Sequence, residues 1–361
     1  MSISRLAYLT IALIGFVYFL IVAKDLLQPI VIAGCIWYVT RAISDQIAKL
    51  GLPKGLCTLL ASVTIIVAIL FSIEIIANNV NQMIEDAPTY QQRVVELKAS
   101  FLETFNIEEL PSSAQLFDEV DLQPLVSEIG TSLSSFAGNL ALVIVYAIFL
   151  IMEQATFPKK WRNSFTQNES LEQATMTVKR ISASVREYIS VKTGVSLLTA
   201  ALSWLVMWLV GLEYAIFWAF IIFLLNYIPS IGSLLATAFP VLFSILQFET
   251  FTNTAILLVV ISVIQFSVAN LLEPMLMGRT LNISGLVTLI SLSLWGAIWG
   301  ITGMILSVPI MVTVIIVCSE FSATRPVAVW LSSDGNVLTD EEWEEAQKGR
   351  QQRHHHARAK S

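Results

Sequence analysis

The sequence predicts an all-α, polytopic helical membrane protein, and three observations carry that prediction. Its 361 residues are 55% hydrophobic and 13% charged, with a mean hydropathy of +0.72, whereas soluble domains carry roughly a quarter charged residues. Apolar runs of bilayer length recur along the chain, and about 20 such residues suffice to cross a hydrocarbon core. Basic residues gather in alternate connections, as they do in chains that cross repeatedly.

The elements follow in order. Arg5 precedes an apolar run from Leu6 to Ala23 that is longer than the apolar core of a signal peptide. No small-x-small cleavage site follows it, so 5–23 reads as a retained span. Lys24 to Pro29 reads as a tight turn into a second span, 29–48, with Pro29 in its first turn, where a missing N–H costs little. Gly51-Leu52-Pro53-Lys54-Gly55 then leads to a third span, 55–78, completing an N-terminal block over 1–78.

At Asn79 the character changes. Residues 79–135 hold ten acidic side chains against only Arg93 and Lys98. Val94, Leu97, Phe101, Leu102 and Phe105 keep a helical period, and Pro111 and Pro124 mark breaks. A small extramembrane helical insert with an acidic exterior is expected there.

A transmembrane core is expected over 136–319, starting with a span at 136–152. The basic segment 153–192 places Val178, Ile181, Val185 and Ile189 on one stripe, with Arg180, Arg186 and Lys192 largely off it. Two readings stand: a helix lying on an anionic membrane surface, or one packed on its neighbours. From Gly194 to Ser319 the chain is almost wholly apolar. The run 285–319 is too long for one upright span and reads as two short helices meeting near Trp299-Gly300. Gly296, Gly300 and Gly303 supply small positions for close helix approach. A cytoplasmic tail is expected over 320–361, with His354 to His356 read as part of its solvated basic end.

The basic residues Arg5, Arg41, Lys49, Lys54, the 153–192 group, Arg279 and Arg325 fall on one side if crossings alternate. Both termini are therefore expected in the cytoplasm and the acidic insert outside.

No catalytic arrangement, nucleotide loop or metal spacing is visible; no cofactor and no nucleic-acid partner are expected. Cys35, Cys57 and Cys318 lie far apart and read as small hydrophobes. The candidate functional residues are polar groups interrupting apolar runs, which persist at membrane depth only beside protein or a wet cavity. Asn226-Tyr227-Ile228-Pro229-Ser230-Ile231-Gly232 is the sharpest such break. The run before it, Tyr214 to Leu225, is too short for a full span. A discontinuous helix or re-entrant hairpin fits, its ends aimed at a cavity as in transporters; a tight cytoplasmic turn is the alternative. Asn270, Glu273 and Pro274 form a second break, where the proline ring displaces the hydrogen bond to the Asn270 carbonyl. That oxygen is then free for an ion, water or solute, the alternative being a plain kink. Arg41 and Asp45, four apart, suit a local salt bridge; Asp45 is otherwise a coupling carboxylate behind Glu273.

The Asn-Tyr-Ile-Pro-x-Ile-Gly stretch, the Glu273-Pro274-x-Leu-Met-Gly278-Arg279 segment and the Trp295-Gly296, Gly300, Gly303-Met304 and Val308-Pro309 ending resemble the autoinducer-2 exporter family of bacterial membrane proteins. The resemblance is specific in the last third and architectural before it. It implies about eight spans, export or exchange of small solutes, an inner-membrane location, and a homo-oligomer, a pentamer. Asn226, Tyr227, Pro229, Gly232, Glu273, Pro274 and Arg279 would then line or shape the path. Three functional readings stand: an exporter of a small polar solute such as autoinducer-2, a sodium (or lithium)–proton antiporter using Glu273, and a non-transporting membrane scaffold.

Overall fold

The computed structural model describes residues 3–105, 138, 140–154, 156–164, 168–277, 282–338 and 342. Among them there is no strand. The helices are α1 (Ile3–Val22), α2 (Lys24–Ala48), α3 (Lys54–Phe105), α4 (Leu140–Glu153), α5 (Phe157–Asn163), α6 (Asn168–Val210), α7 (Ala215–Leu225), α8 (Ile231–Gln247), α9 (Phe251–Ser267), a π turn (Val268–Leu272), α10 (Glu273–Met277), α11 (Gly285–Glu320) and α12 (Arg325–Leu331). Among the described residues, five helices are long and apolar enough to cross a membrane, or up to six if the bent pair α4–α5 is one span. The shorter apolar helices α7 and α8 and the stretch Thr10–Val22 lie below that length.

Three sequence boundaries move. The expected turn at Lys24–Pro29 is helical, so Pro29 falls in the second turn of α2 and only Ala23 separates α1 from α2. The change of composition at Asn79 breaks nothing: α3 runs 52 residues, about 78 Å at 1.5 Å per residue, through it. A helix needs local propensity, not one solvent, so a run that turns from apolar to polar continues unbroken. The rest of the expected insert, including Pro111 and Pro124, lies outside the described residues. Likewise α6 joins the basic segment to the apolar run after Gly194 without a break.

The chain forms two compact units. One comprises Met1–Gln46, Tyr146–Thr193 and Glu273–Ser361, the other Ile47–Val145 and Gly194–Leu272.

In the first unit, α11 is a helical hairpin. Gly300 interrupts it at φ 62°, ψ −143°, a conformation open in practice to glycine alone. The two arms then touch: a Cβ on Gly303 would stand 1.9 Å from the Trp295 carbonyl oxygen, and one on Gly296 2.9 Å from the Met304 methyl. The Ser291 hydroxyl donates to the Ser307 carbonyl, 3.1 Å, across the arms. Those glycines therefore close the hairpin on itself. The tip leaves backbone carbonyls without helical partners, and Gln28 Nε2 donates to the Trp299 carbonyl, 2.9 Å. In return the Trp299 indole N–H donates to the Leu20 carbonyl, 3.0 Å, at the end of α1. Leu20, Ile298, Trp299 and Leu306 pack around this contact. Gln28→Leu is expected to leave the tip carbonyl unsatisfied and to cost about 1–3 kcal/mol, read as a lower unfolding midpoint of the purified protein.

In the second unit, α7, α8 and α9 pack with α3 and the last part of α6 around Met207, Ile222, Leu257 and Ile261, all fully buried. Its α6–α7 turn is pinned from two sides. Gln247 Nε2 donates to the Gly211 carbonyl and its Oε1 accepts the Glu213 N–H, both 2.8 Å. From α3, the Tyr90 hydroxyl donates to Glu213, and Asp86 accepts from the Tyr214 hydroxyl.

Candidate functional site

The candidate residues form two groups, one in each unit. In the second unit, α7 ends at Leu225, with Asn226 as its C-cap, and α8 begins at Ile231. Pro229 cannot donate and ends the helical ladder. Ser230 then takes φ 60°, ψ −56°, and the Ile231 N–H donates back to the Pro229 carbonyl at 2.6 Å. This is a γ-turn of the rarer, strained hand. Such backbone outliers gather at functional sites and cost of order 1–3 kcal/mol. Gly232 allows the reversal: a Cβ there would stand 1.9 Å from the Leu225 carbonyl oxygen. Tyr227 sets its ring edge-on to Phe223 at 5.6 Å. The Asn226 side-chain amide, half-buried, makes no hydrogen bond to the described residues.

In the first unit, α10 follows the π turn, and Pro274 stands one residue after Glu273. A π turn shifts the ladder by one residue, which is how a helix accommodates such a break without ending. Asn270 lies in the π turn of the second unit and donates through Nδ2 to the Phe266 carbonyl, 3.0 Å. Glu273 is held by Lys192 of α6, with Nζ 2.6 Å from Oε1 and side chains only 8% and 21% exposed. A second buried pair, Arg180 Nη1 to Glu320 Oε1 at 3.0 Å, joins α6 to the end of α11. Arg279 lies outside the described residues.

The placement of α6 favours the second of its two readings, a helix packed on its neighbours, and corrects the place expected for its cations. Its apolar stripe does not lie open on a membrane surface: Val185 and Ile189 pack with Val308, Val312 and Ile316 of α11. Arg180 and Lys192, expected off the packed face, are themselves buried. They fit because each meets a carboxylate, the condition under which a buried charge is tolerated. Asp45 pairs with Arg186 at 3.3 Å rather than with Arg41, whose guanidinium sits 5.7 Å over the Trp37 ring. The i,i+4 spacing brought Arg41 and Asp45 to one side of α2, but the cation on α6 took the carboxylate.

Four buried polar residues recur on α6 at four-residue steps: Arg180, Ser184, Tyr188 and Lys192. In the second unit the helix carries Ser196, Thr199 and Ser203, each fully buried. Thr199 donates to the Val195 carbonyl at 2.9 Å. The Ser196 and Ser203 hydroxyls and the Gln265 amide nitrogen are buried without a hydrogen-bond partner among the described residues. Buried polar side chains on a bilayer-length helix are turned away from lipid, because hydrocarbon supplies no partner.

Residues 9–323 match the AI-2E family transporter profile. The chain belongs to the AI-2E transporter family. It is 26% identical over 314 residues to the AI-2 transport protein TqsA of Escherichia coli (strain K12), covering 86% of this chain and 90% of that protein. It is also 26% identical over 310 residues to YhhT of the same strain, covering 85% and 86%. A Haemophilus influenzae protein is 28% identical over 296 residues, covering 80% and 84%. As an AI-2E transporter the chain is a helical membrane protein whose cargo is a small molecule or ion. In this AI-2E chain, sequence reasoning missed Lys192, Arg180 and the α6 polar face. A signal existed: between Gly194 and Ser319 the only charged residues are Glu213, Glu249, Glu273 and Arg279, so an intramembrane Glu273 called for a cation from elsewhere.

Proposed function

We propose that this protein exports a small polar solute across the bacterial inner membrane, with both termini in the cytoplasm. The observation that carries the proposal is the buried polar face of α6, whose Ser196 and Ser203 hydroxyls have no partner among the described residues. Unmade bonds of this kind cost about 1–3 kcal/mol each. Water or a hydroxylated solute passing along the helix would satisfy them. The strained Asn226–Gly232 turn and the Glu273–Pro274 break supply further unsatisfied or displaceable polar groups, as broken helices do in transporters. Autoinducer-2 is the solute proposed, on the likeness to TqsA. A homo-oligomer, a pentamer, is proposed on the family resemblance. No catalytic step is assigned to the chain.

Purified protein reconstituted into vesicles loaded with autoinducer-2 tests the reading. The native chain is expected to release the solute. Asn226→Ala is expected to slow release about tenfold, the equivalent of one lost hydrogen bond of ~1.4 kcal/mol, with normal protein levels. Equal rates for Asn226→Ala and the native chain would remove Asn226 from the path. Release of other polar solutes but not autoinducer-2 would overturn the substrate and keep the transport.

A further inference from the structure

Like α6 at Lys179, the short helix α5 carries exposed cations of the 153–192 segment. It bends 67° away from α4. At 100° per residue, Phe157 and Trp161 fall on one side and Lys159 and Arg162 on the other. The two rings stack at 6.1 Å and 20°, and Phe157 stays 51% exposed. Phe149 and Met152, toward the end of α4, are 65% and 68% exposed. Lys160 is occupied by Glu153. Lys159 and Arg162 are exposed and have no acidic partner among the described residues.

This corner is held rigidly. The Trp37 indole N–H donates to Gln154 Oε1 at 3.1 Å, and the Trp161 indole N–H to Thr175 Oγ1 at 3.0 Å. The exposed ring and the two cations are therefore presented in a fixed orientation, just beyond the apolar length of α4.

We propose that α5 docks on anionic phospholipid headgroups of the membrane in which α4 ends. A bare aromatic ring just beyond an apolar helix suits the acyl boundary, and flanking cations suit the phosphates one layer out. An acidic protein partner would satisfy the cations but leave Phe157 in water, so the lipid surface is the occupant that accounts for both. Through Trp161 and Thr175 the same contact tethers the start of α6, so headgroup charge bears on the helix that carries the buried ion pairs.

The test uses the full-length purified chain and its preference for phosphatidylglycerol over phosphatidylcholine, read by native mass spectrometry. Each surface cation contributes about a fivefold preference for an anionic membrane, so Lys159→Gln/Arg162→Gln is expected to lower it about 25-fold. The preference of the native chain is expected to fall as salt is raised. An unchanged preference in the double variant overturns the proposal, as does an equal loss from Lys49→Gln, a cation outside α5. Displacement of the lipid by free inorganic phosphate also overturns it. Should the double variant unfold, Lys159→Gln alone decides by the presence or absence of the fivefold loss.

Discussion

Lys192→Met is expected to destabilise the protein by about 3–5 kcal/mol, the cost of leaving a carboxylate buried without its partner. Glu273 is only 21% exposed and its ammonium partner stands 2.6 Å away, so little solvent screening offsets the loss. Thermal unfolding of the purified protein in detergent is the measurement. Lys192→Met/Glu273→Met removes both charges and is expected to recover most of the stability, because a neutral pair needs no desolvation. Solute flux through that double variant then separates two roles. A stable double variant without flux makes the pair part of the transport path; one with native flux makes it only a support. If Lys192→Met alone is as stable as the native chain, the buried pair does not exist.

Gly232→Ala is expected to abolish the sharp reversal between α7 and α8. The added Cβ would overlap the Leu225 carbonyl oxygen at 1.9 Å and press on the Leu225 carbonyl carbon at 2.9 Å. Backbone atoms cannot rotate away as a side chain does, so the turn itself must open. Overpacking of this kind costs about 1–3 kcal/mol and occasionally more. Flux is expected to fall further than stability, since Asn226 and the strained Ser230 depend on the same turn. Gly34→Ala is the control: nothing stands within 4 Å of its added Cβ. It is expected to leave both flux and unfolding unchanged or slightly improved, as alanine favours a helix over glycine. Equal behaviour of the two variants would show that the turn is not as tight as described.

Much of the fold was legible because its breaks are chemical. Proline and glycine act on their own neighbours, so Pro229, Gly232 and Gly300 announce their turns, whereas Pro29 and Pro274 lie within helices. The hairpin of α11 could be placed at Trp299-Gly300 for that reason. The opposite case is α3, where polarity changed and no breaker stood at Asn79, and the helix simply continued. The candidate site was half legible. Glu273 stood out as a charge in an apolar run, but its partner is 81 positions away in sequence. No local pattern pairs two such residues. Arg180 and Lys192 were placed off the packed stripe because its apolar residues drew the reading, while the four-residue recurrence of Arg180, Ser184, Tyr188 and Lys192 marks an equally regular buried face. Asp45 shows the limit of helical spacing. It put Arg41 within reach, and tertiary packing supplied Arg186 instead.

The central claim is that the buried polar face of α6 meets water during turnover while its exposed apolar face meets lipid. With Cys35, Cys57 and Cys318 replaced by alanine, single cysteines at Ser196 and Leu197 test it in reconstituted vesicles. Ser196 is fully buried and Leu197 is 61% exposed, so a protein surrounded by water would label at Leu197 alone. The expected result is the reverse: a small, charged, membrane-impermeant thiol reagent modifies Ser196→Cys and spares Leu197→Cys. Labelling at Leu197→Cys with none at Ser196→Cys would contradict the claim.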